Sequence, residues 1–380
     1  MGGSDPEKDD GIVGPRPRAP SLPPYVPGPS MDQIIHDHGI EPHGVTRLSS
    51  NENPLGPPLA AIEAIKRDAA RAHLYPDGNG TRLKKALASI WDVSPDWITL
   101  GNGSAEVIES AAAGYLGSGD EAVGFEYGFA LFRKAAMASG QGFREIPMAD
   151  GFQYDPDALA AGCVPPVRVV FLANPNNPTG SFLTGKELES LLDNVPPDIL
   201  FVLDEAYHGY PPRDIESQPP DGIDILKRLG SRNLLVTRSF SKIYGLAGLR
   251  VGAGIAHPSV VEVLERVRSP INVNCLAQTA CLAALSSPEH LERSRELTKR
   301  GRSFLIETLE KLPVRVFGDS GNFLMLDLGR SAAPVIEKMA LKGVIVRGLT
   351  PYGLNDCLRV TIGTMADCAR FVEALVSALG

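Results

Sequence analysis

Hydrophobic and polar positions follow two rhythms along the chain. Over residues 58–73 (PLAAIEAIKRDAARAH) apolar positions recur every three to four residues, which predicts an amphipathic helix. A second helix is predicted from Thr81, and a third over Ser104–Tyr115, directly after a glycine turn. Between residues 123 and 236 the rhythm changes. Short, unbroken apolar runs at 167–173 (VRVVFLA), 199–206 (ILFVLDEA) and 233–237 (NLLVT) are separated by helical stretches. Such runs are strands buried on both faces, so an α/β architecture is predicted, a mostly parallel sheet sandwiched by helices. A long charged helix is expected over 287–312. Beyond it, strand-like runs at 314–317, 322–328 and 344–348 and a closing helix over 367–379 predict a smaller α+β unit. The first 30 or so residues are proline-rich and aperiodic, and read as a flexible tail passing into an extended arm. No internal repeat stands out.

Length and charge narrow the function. A chain of 380 residues is long for one core and suggests two domains. A net charge of -8 argues against nucleic acid as the main partner, while leaving room for local basic pockets. No apolar run approaches a membrane span. The N-terminus lacks the apolar core of a secretory signal. Cys163, Cys275, Cys281, Cys357 and Cys368 are scattered and form no CxxC pair. Neither a disulfide framework nor a zinc site is expected, and a cytoplasmic location fits. His36, His38 and His43 lie close together, but their spacing fits no standard metal motif, and a solvated arm or a substrate gate is the preferred reading.

The residues at the ends of the central strands carry the chemistry. The run at 167–173 leads into NPNNPTG (174–180), the run at 199–203 into Asp204-Glu205-Ala206-Tyr207, and the run at 233–237 into Ser239, Ser241 and Lys242. In an open α/β sheet, ligands bind beyond the carboxyl ends of the strands. Three strands would thus bring an amide, a carboxylate, a phenol and an amine to one edge. A partly desolvated lysine favours its neutral, nucleophilic form. These groups match the needs of a pyridine aldehyde cofactor: an amine to bond the aldehyde, a carboxylate to keep the ring nitrogen protonated, and an amide and phenol for the ring hydroxyl. Gly101-Asn102-Gly103-Ser104-Ala105-Glu106 is a glycine turn opening a helix, a cradle for a phosphate, which Ser239, Ser241 and Arg250 would complete. Each segment alone also has an ordinary reading as a turn, a cap or a surface charge; their order and placement together favour the site.

The chain resembles the fold-type I PLP-dependent aminotransferases, and among them the histidinol-phosphate aminotransferase branch. The resemblance runs from about residue 23 to the C-terminus. It rests on SSNENPLGPP (49–58), YPDGNGTRLKKALA (75–88), GNGSAE, NPNNPTG, DEAYHGY (204–210), SFSKIYGLAGLRVG (239–252) and LRVTIGT (358–364). It implies a seven-stranded large domain over 46–275 and a small α+β domain over 276–380. The tail and arm over 1–45 would pack against the small domain and a partner subunit. It implies pyridoxal 5'-phosphate as cofactor and a homodimer with shared active sites. Lys242 would be the Schiff-base lysine, Asp204 the pyridinium partner, and Tyr207 and Asn177 the ligands of the ring hydroxyl. Ser239, Ser241, Arg250 and the amides of Ser104 and Ala105 would form the phosphate cup, and Phe129 would stack on the ring. Tyr75 would reach the neighbouring subunit's phosphate. Arg359 would bind the substrate's carboxylate, with Arg347 a second anion ligand, Tyr25 an arm residue closing over the partner's site, and Asn53 at the entrance.

The sequence departs from the branch in two places. Ala105 stands where an acid is usual, and Gly348 where a proline is frequent. Both bear on the substrate more than on the chemistry. Transamination of histidinol phosphate with 2-oxoglutarate, a step of histidine biosynthesis, is the expected activity. The alternatives are an aromatic amino acid or secondary-metabolite aminotransferase, and a PLP-dependent amino acid phosphate decarboxylase of the same fold. A PLP-binding regulatory module is disfavoured, because no helix-turn-helix pattern precedes NENPLG.

Overall fold

A computed structural model describes residues 44–214, 217–230, 233–318 and 320–380. Tyr25, His36, His38 and His43, and with them the expected arm, lie outside the described residues.

The chain enters through a two-residue strand, β1 (Thr46–Arg47), and then builds a seven-stranded sheet. Its members are β2 (Ile98–Gly101), β3 (Glu121–Phe125), β4 (Gly142–Ile146), β5 (Val167–Ala173), β6 (Leu200–Asp204), β7 (Leu234–Ser239) and β8 (Gly252–Ile255), in the order β2-β8-β7-β6-β5-β3-β4. Only β8 runs antiparallel to its neighbours; the other pairings are parallel. Alternate residues of β5 explain the unbroken apolar run. Val170 and Leu172 face a core shared with helices Thr81–Trp91, Gly185–Asn194 and Gly222–Leu229. Val169, Phe171 and Ala173 face a second core under helices Ser104–Tyr115, Leu131–Ala138 and Pro258–Val267. Both faces of the strand are dry, so no polar alternation survives in its sequence.

The C-terminal part forms an antiparallel sheet of β9 (Arg315–Phe317), β10 (Phe323–Asp327), β12 (Arg347–Leu349) and β13 (Leu354–Thr361), in the order β12-β13-β10-β9. A separate core gathers under it, with Leu305 and Leu309 of the long helix Pro288–Leu309 and Phe371 and Leu375 of the closing helix Met365–Leu379. The remaining strand, β11 (Val344–Ile345), pairs in parallel with β1.

Several elements differ from the expectation. The first helix is α-helical over Leu59–Asp68 and tightens to a 3₁₀ turn over Ala69–Arg71. β7 extends to Ser239, so Ser239 ends a strand instead of sitting in the turn. β13 was not legible as a strand: its first half carries the exposed Asn355 and Asp356, and an arginine interrupts its apolar half. The segment expected to open the large domain at 46 pairs with the C-terminal part instead. Helix Cys275–Leu285, placed at the start of the small domain, packs its small residues Ala277, Ala280 and Ala284 into the large sheet's core.

Candidate active site

The carboxyl ends of β5, β6 and β7 are level. Register pairs Ala173 with Asp204 and Asp204 with Thr237. The backbone continues the ladder one step beyond, Asn174 N donating to Asp204 O and Glu205 N to Thr237 O. Asn177, Asp204, Tyr207 and Lys242 therefore leave one edge within a few residues of each other, the first three buried and Lys242 partly so.

Asp204 accepts a 2.6 Å hydrogen bond on Oδ1 from Thr237 Oγ1. Burial raises its carboxyl to about 6, against the pull of Thr237, the Ala206 amide and Lys242. Lys242 Nζ donates to Ser50 O at 3.1 Å and lies 5.6 Å from the centre of the Tyr207 ring. Burial, and then the charge of Arg359, lower its amine to about 7. An amine with that value is substantially neutral at physiological pH and suited to accept and return a proton. Burial lifts the Tyr207 phenol to about 12, so it stays a hydrogen-bond donor. Its hydroxyl accepts from Asn51 Nδ2 at 2.8 Å.

The glycine turn lies where β2 gives way to helix Ser104–Tyr115. Gly103 sits at φ 82°, and a Cβ there would collide with Arg250 Nη2. Arg250, itself at φ 56°, donates to Ser241 Oγ at 3.1 Å, and Ser239 Oγ accepts from Ser241 N at 3.2 Å. Gly252 of β8 has no room for a Cβ against Ser104 N. The first amides of the helix, the two serines and the guanidinium thus lie together at one edge, the chemistry of a phosphate site. Ala105 is half-buried behind Ser104. The side chain that closes this turn is that of Glu106, whose Oε2 accepts from Asn102 N at 2.6 Å.

The antiparallel sheet supplies the opposite wall. Arg359 of β13 donates from Nη1 to Asn177 Oδ1 and from Nη2 to Ser49 O at 2.7 Å. Arg347 is its direct cross-strand partner, so both arginines leave the same face of the sheet. Phe129 is half-buried, edge-on to Phe132 at 5.7 Å. Tyr75, expected to reach a second copy, and Asn53, expected at the entrance, stand apart from these walls. Tyr75 points outward, 88% exposed. Asn53 is buried and tied internally, Nδ2 donating to Ile243 O at 3.0 Å and Ser294 Oγ at 2.9 Å. It braces the segment after Lys242.

Three contributors were not read from the sequence. Asn51 holds Tyr207 from a left-handed backbone position, φ 54°, and its own amide bonds to Thr361 Oγ1 at 2.9 Å. Ser50 offers only its carbonyl, and Thr237 only its register with Asp204; neither leaves a sequence signature. Asn51 had one: an asparagine two residues before another in SSNENP is a candidate for φ > 0.

Among the described residues no group of three or more His, Cys, Asp or Glu could hold a metal ion. Residues 43–375 match the family described as aminotransferase class I and II. A histidinol-phosphate aminotransferase 2 of Pseudomonas fluorescens is 44% identical, covering 96% of this chain and 97% of that protein. A histidinol-phosphate aminotransferase of Symbiobacterium thermophilum is 40% identical over 94% of this chain and 96% of that protein. Among solved structures, the histidinol-phosphate aminotransferase of Sinorhizobium meliloti in complex with pyridoxal-5'-phosphate is 27% identical, with a TM-score of 0.84 over 96% of both chains. A Thermus thermophilus aspartate aminotransferase mutant, 21% identical with a TM-score of 0.80 over 97% of this chain and 100% of that one, shares the fold. This is the fold-type I architecture expected from the sequence. By the family match over most of its length, and with an amine, a carboxylate and an anion cradle at one sheet edge, the chain belongs to the class I and II aminotransferases.

Proposed function

We propose that this chain transfers the amino group of histidinol phosphate to 2-oxoglutarate, with pyridoxal 5'-phosphate as its cofactor, in a homodimer of the cytoplasm. The carrying observation is the pairing of an amine near neutrality, Lys242, with a buried carboxylate one strand away, Asp204, beside the Gly103–Arg250 cradle. The donor set fits the cofactor. Gly103 lets the Arg250 guanidinium lie against the turn, and Arg250, Ser239, Ser241 and the amides of Ser104 and Ala105 would share a phosphate. Asp204 would hold the proton on the ring nitrogen, and Tyr207 and Asn177 would bind the ring hydroxyl. Phe129 would cover one ring face. When bound, the cofactor supplies an electron-poor ring that withdraws charge from the substrate's reacting carbon.

The chain's own part is binding and proton transfer. Lys242 Nζ would take the proton from that carbon and give it back to the carbon on the far side of the amine nitrogen, as base and then acid. Burial, and after it the Arg359 charge, keeps the amine from holding its proton too tightly. Arg359 and Arg347, side by side on one sheet face, would bind the anionic ends of donor and acceptor. Relatives of 40 to 44% identity over nearly the whole chain support the donor. The exposure of Tyr75 supports a second copy, and the five free cysteines support a reducing compartment. No described helix is long and apolar enough to cross a membrane. The chain would divide into an arm (1–45), a large domain (46–275) and a small domain (276–380); the packing of helix Cys275–Leu285 into the large sheet's core supports ending the large domain after that helix.

A donor screen tests the reading. Histidinol phosphate, aromatic amino acids, glutamate and phosphothreonine are offered to the loaded enzyme. Loss of the bound cofactor's visible absorbance and the products are followed. Histidinol phosphate is expected to react with a kcat/KM about tenfold or more above the aromatic donors, a discrimination of about 1.4 kcal/mol. Carbon dioxide release without an oxo product would overturn the assignment.

A further inference from the structure

The loop that presents Tyr75 is fastened, although its aromatic side chain is left outside. Asp77 closes it from within: its carboxylate accepts from Asn79 N at 3.0 Å and Thr81 N at 2.7 Å. Gln278 Nε2 donates to Asp77 O at 3.0 Å. Arg268, at the end of helix Pro258–Val267, donates from Nη2 to Gly78 O at 3.2 Å. Gly78 faces Ile271, whose Cγ1 would lie 3.2 Å from a Cβ at that position. Leu74 and Tyr75, 49% and 88% exposed, are adjacent apolar groups on this fastened loop, a surface that a second copy would cover.

Arg268 also reaches the other way. Its Nη1 donates to Asn272 Oδ1 at 3.1 Å. Asn272 Nδ2 donates to Leu100 O at 2.8 Å and to Glu106 Oε2 at 2.6 Å, the same oxygen that closes the Asn102–Glu106 turn of the cradle. Behind Arg268, Glu265 fixes the guanidinium. Its Oε2 accepts from Arg268 Nε at 2.7 Å, while Oε1 takes Lys84 Nζ and Thr99 Oγ1, both at 2.8 Å. The Arg268 side chain is only 11% exposed. A planar fork held at one nitrogen and used at two others is a rigid spacer.

We propose that Arg268, with Asn272 and Glu106, is a positioning strut joining a subunit's own phosphate cradle to the loop that carries Tyr75 into the cradle of a second copy. The proposal rests on the reading of Tyr75 as a ligand of the partner's cofactor phosphate. The strut makes the two sites of a dimer share one alignment: the turn that holds one phosphate sets the height of the tyrosine that reaches the other.

Mixed dimers of full-length chains decide it. One chain carries Lys242→Ala, so only its partner holds a lysine-bearing site. The pyridoxal phosphate concentration that half-saturates that site is read by borohydride trapping on its chain, alongside turnover. Arg268→Lys keeps a cation beside Glu265 but loses the fork; Arg268→Gln is the second variant. Placed in the Lys242→Ala chain, Arg268→Lys is expected to raise the half-saturating concentration about tenfold, the order of one lost charge-assisted bond. Placed in the lysine-bearing chain, it is expected to change it by less than about twofold. Tyr75→Phe is run in the same two arrangements. A defect that stays with the lysine-bearing chain, or no defect in either arrangement, overturns the strut. If Tyr75→Phe acts across the dimer while neither Arg268 variant does, the strut alone is wrong. If Tyr75→Phe acts in neither arrangement, the reading of Tyr75 is wrong and the strut falls with it.

Discussion

At the level of single residues, the site sets two ionisable groups against their solvent preferences. Lys242→Ala is expected to abolish turnover while retaining some cofactor through the cradle; near-normal transamination by that variant would remove Lys242 from the chemistry. The same lysine leaves a trace in stability. Its amine titrates near 7 in the folded chain, against 10.5 when free. Between those values the folded chain holds the neutral amine and the unfolded chain the ammonium, so unfolding takes up a proton. This residue's contribution to stability therefore rises with pH from about 7 to 10.5, by up to about 1.4 kcal/mol per unit. Urea midpoints of cofactor-free protein at pH 7, 8 and 9, compared with Lys242→Met, measure it; parallel slopes would refute it. Asp204 acts oppositely. Its folded value near 6 lies above the free 3.8, so stability from this group is lost as pH rises through that interval.

Among elements, the join between β6 and β7 is the most demanding. On one sheet face Thr237 bonds Asp204. One residue further, on the other face, Arg238 Nη2 meets Glu205 Oε2 at 2.8 Å and Asp221 Oδ1 at 2.6 Å. Glu205 is wholly buried, and Gly222 N donates to its Oε1 at 2.8 Å. Removing one partner of a buried pair strands the other, so Arg238→Met is expected to cost about 3–5 kcal/mol in urea denaturation. Adding Glu205→Leu should recover much of that loss. If the double variant is no more stable than the single one, the stranded charge is not the cause. Legibility divides at this level. β5, β6 and β7 and the residues at their ends were readable because each run is apolar on both faces and stops at a cluster of polar groups. Register was not. Nothing in the sequence says that Thr237 stands beside Asp204, or that Arg347 stands beside Arg359, because cross-strand neighbours are set by packing between distant segments. β13 was hidden because one of its inward positions is a buried arginine, Arg359.

For the whole molecule, the site exists only where two sheets meet. Arg359 leaves the small sheet and bonds Asn177 at an end of the large one. Asn322, just before β10, donates to Asn51 O at 3.1 Å. Arg359→Lys keeps the charge but loses the two-pronged contact. It is expected to lower kcat/KM for anionic donors by about a hundredfold or more, with the far-ultraviolet spectrum unchanged. A drop in kcat/KM of less than about threefold would take Arg359 out of substrate binding.

The pairing of β1 with β11 gives the order of events on the ribosome a particular shape. Thr46 and Arg47 are made early, but their partners, Val344 and Ile345, emerge roughly 300 residues later, some 15–60 s at ordinary rates of synthesis. Until then the stretch that delivers Ser50 to Lys242 and Asn51 to Tyr207 has no sheet to join, although the strands that carry the lysine and the aspartate are already complete. A nascent chain stalled before residue 344 would therefore hold Lys242 and Asp204 in a half-built pocket. A strand made late fastens the first part of the chain over it.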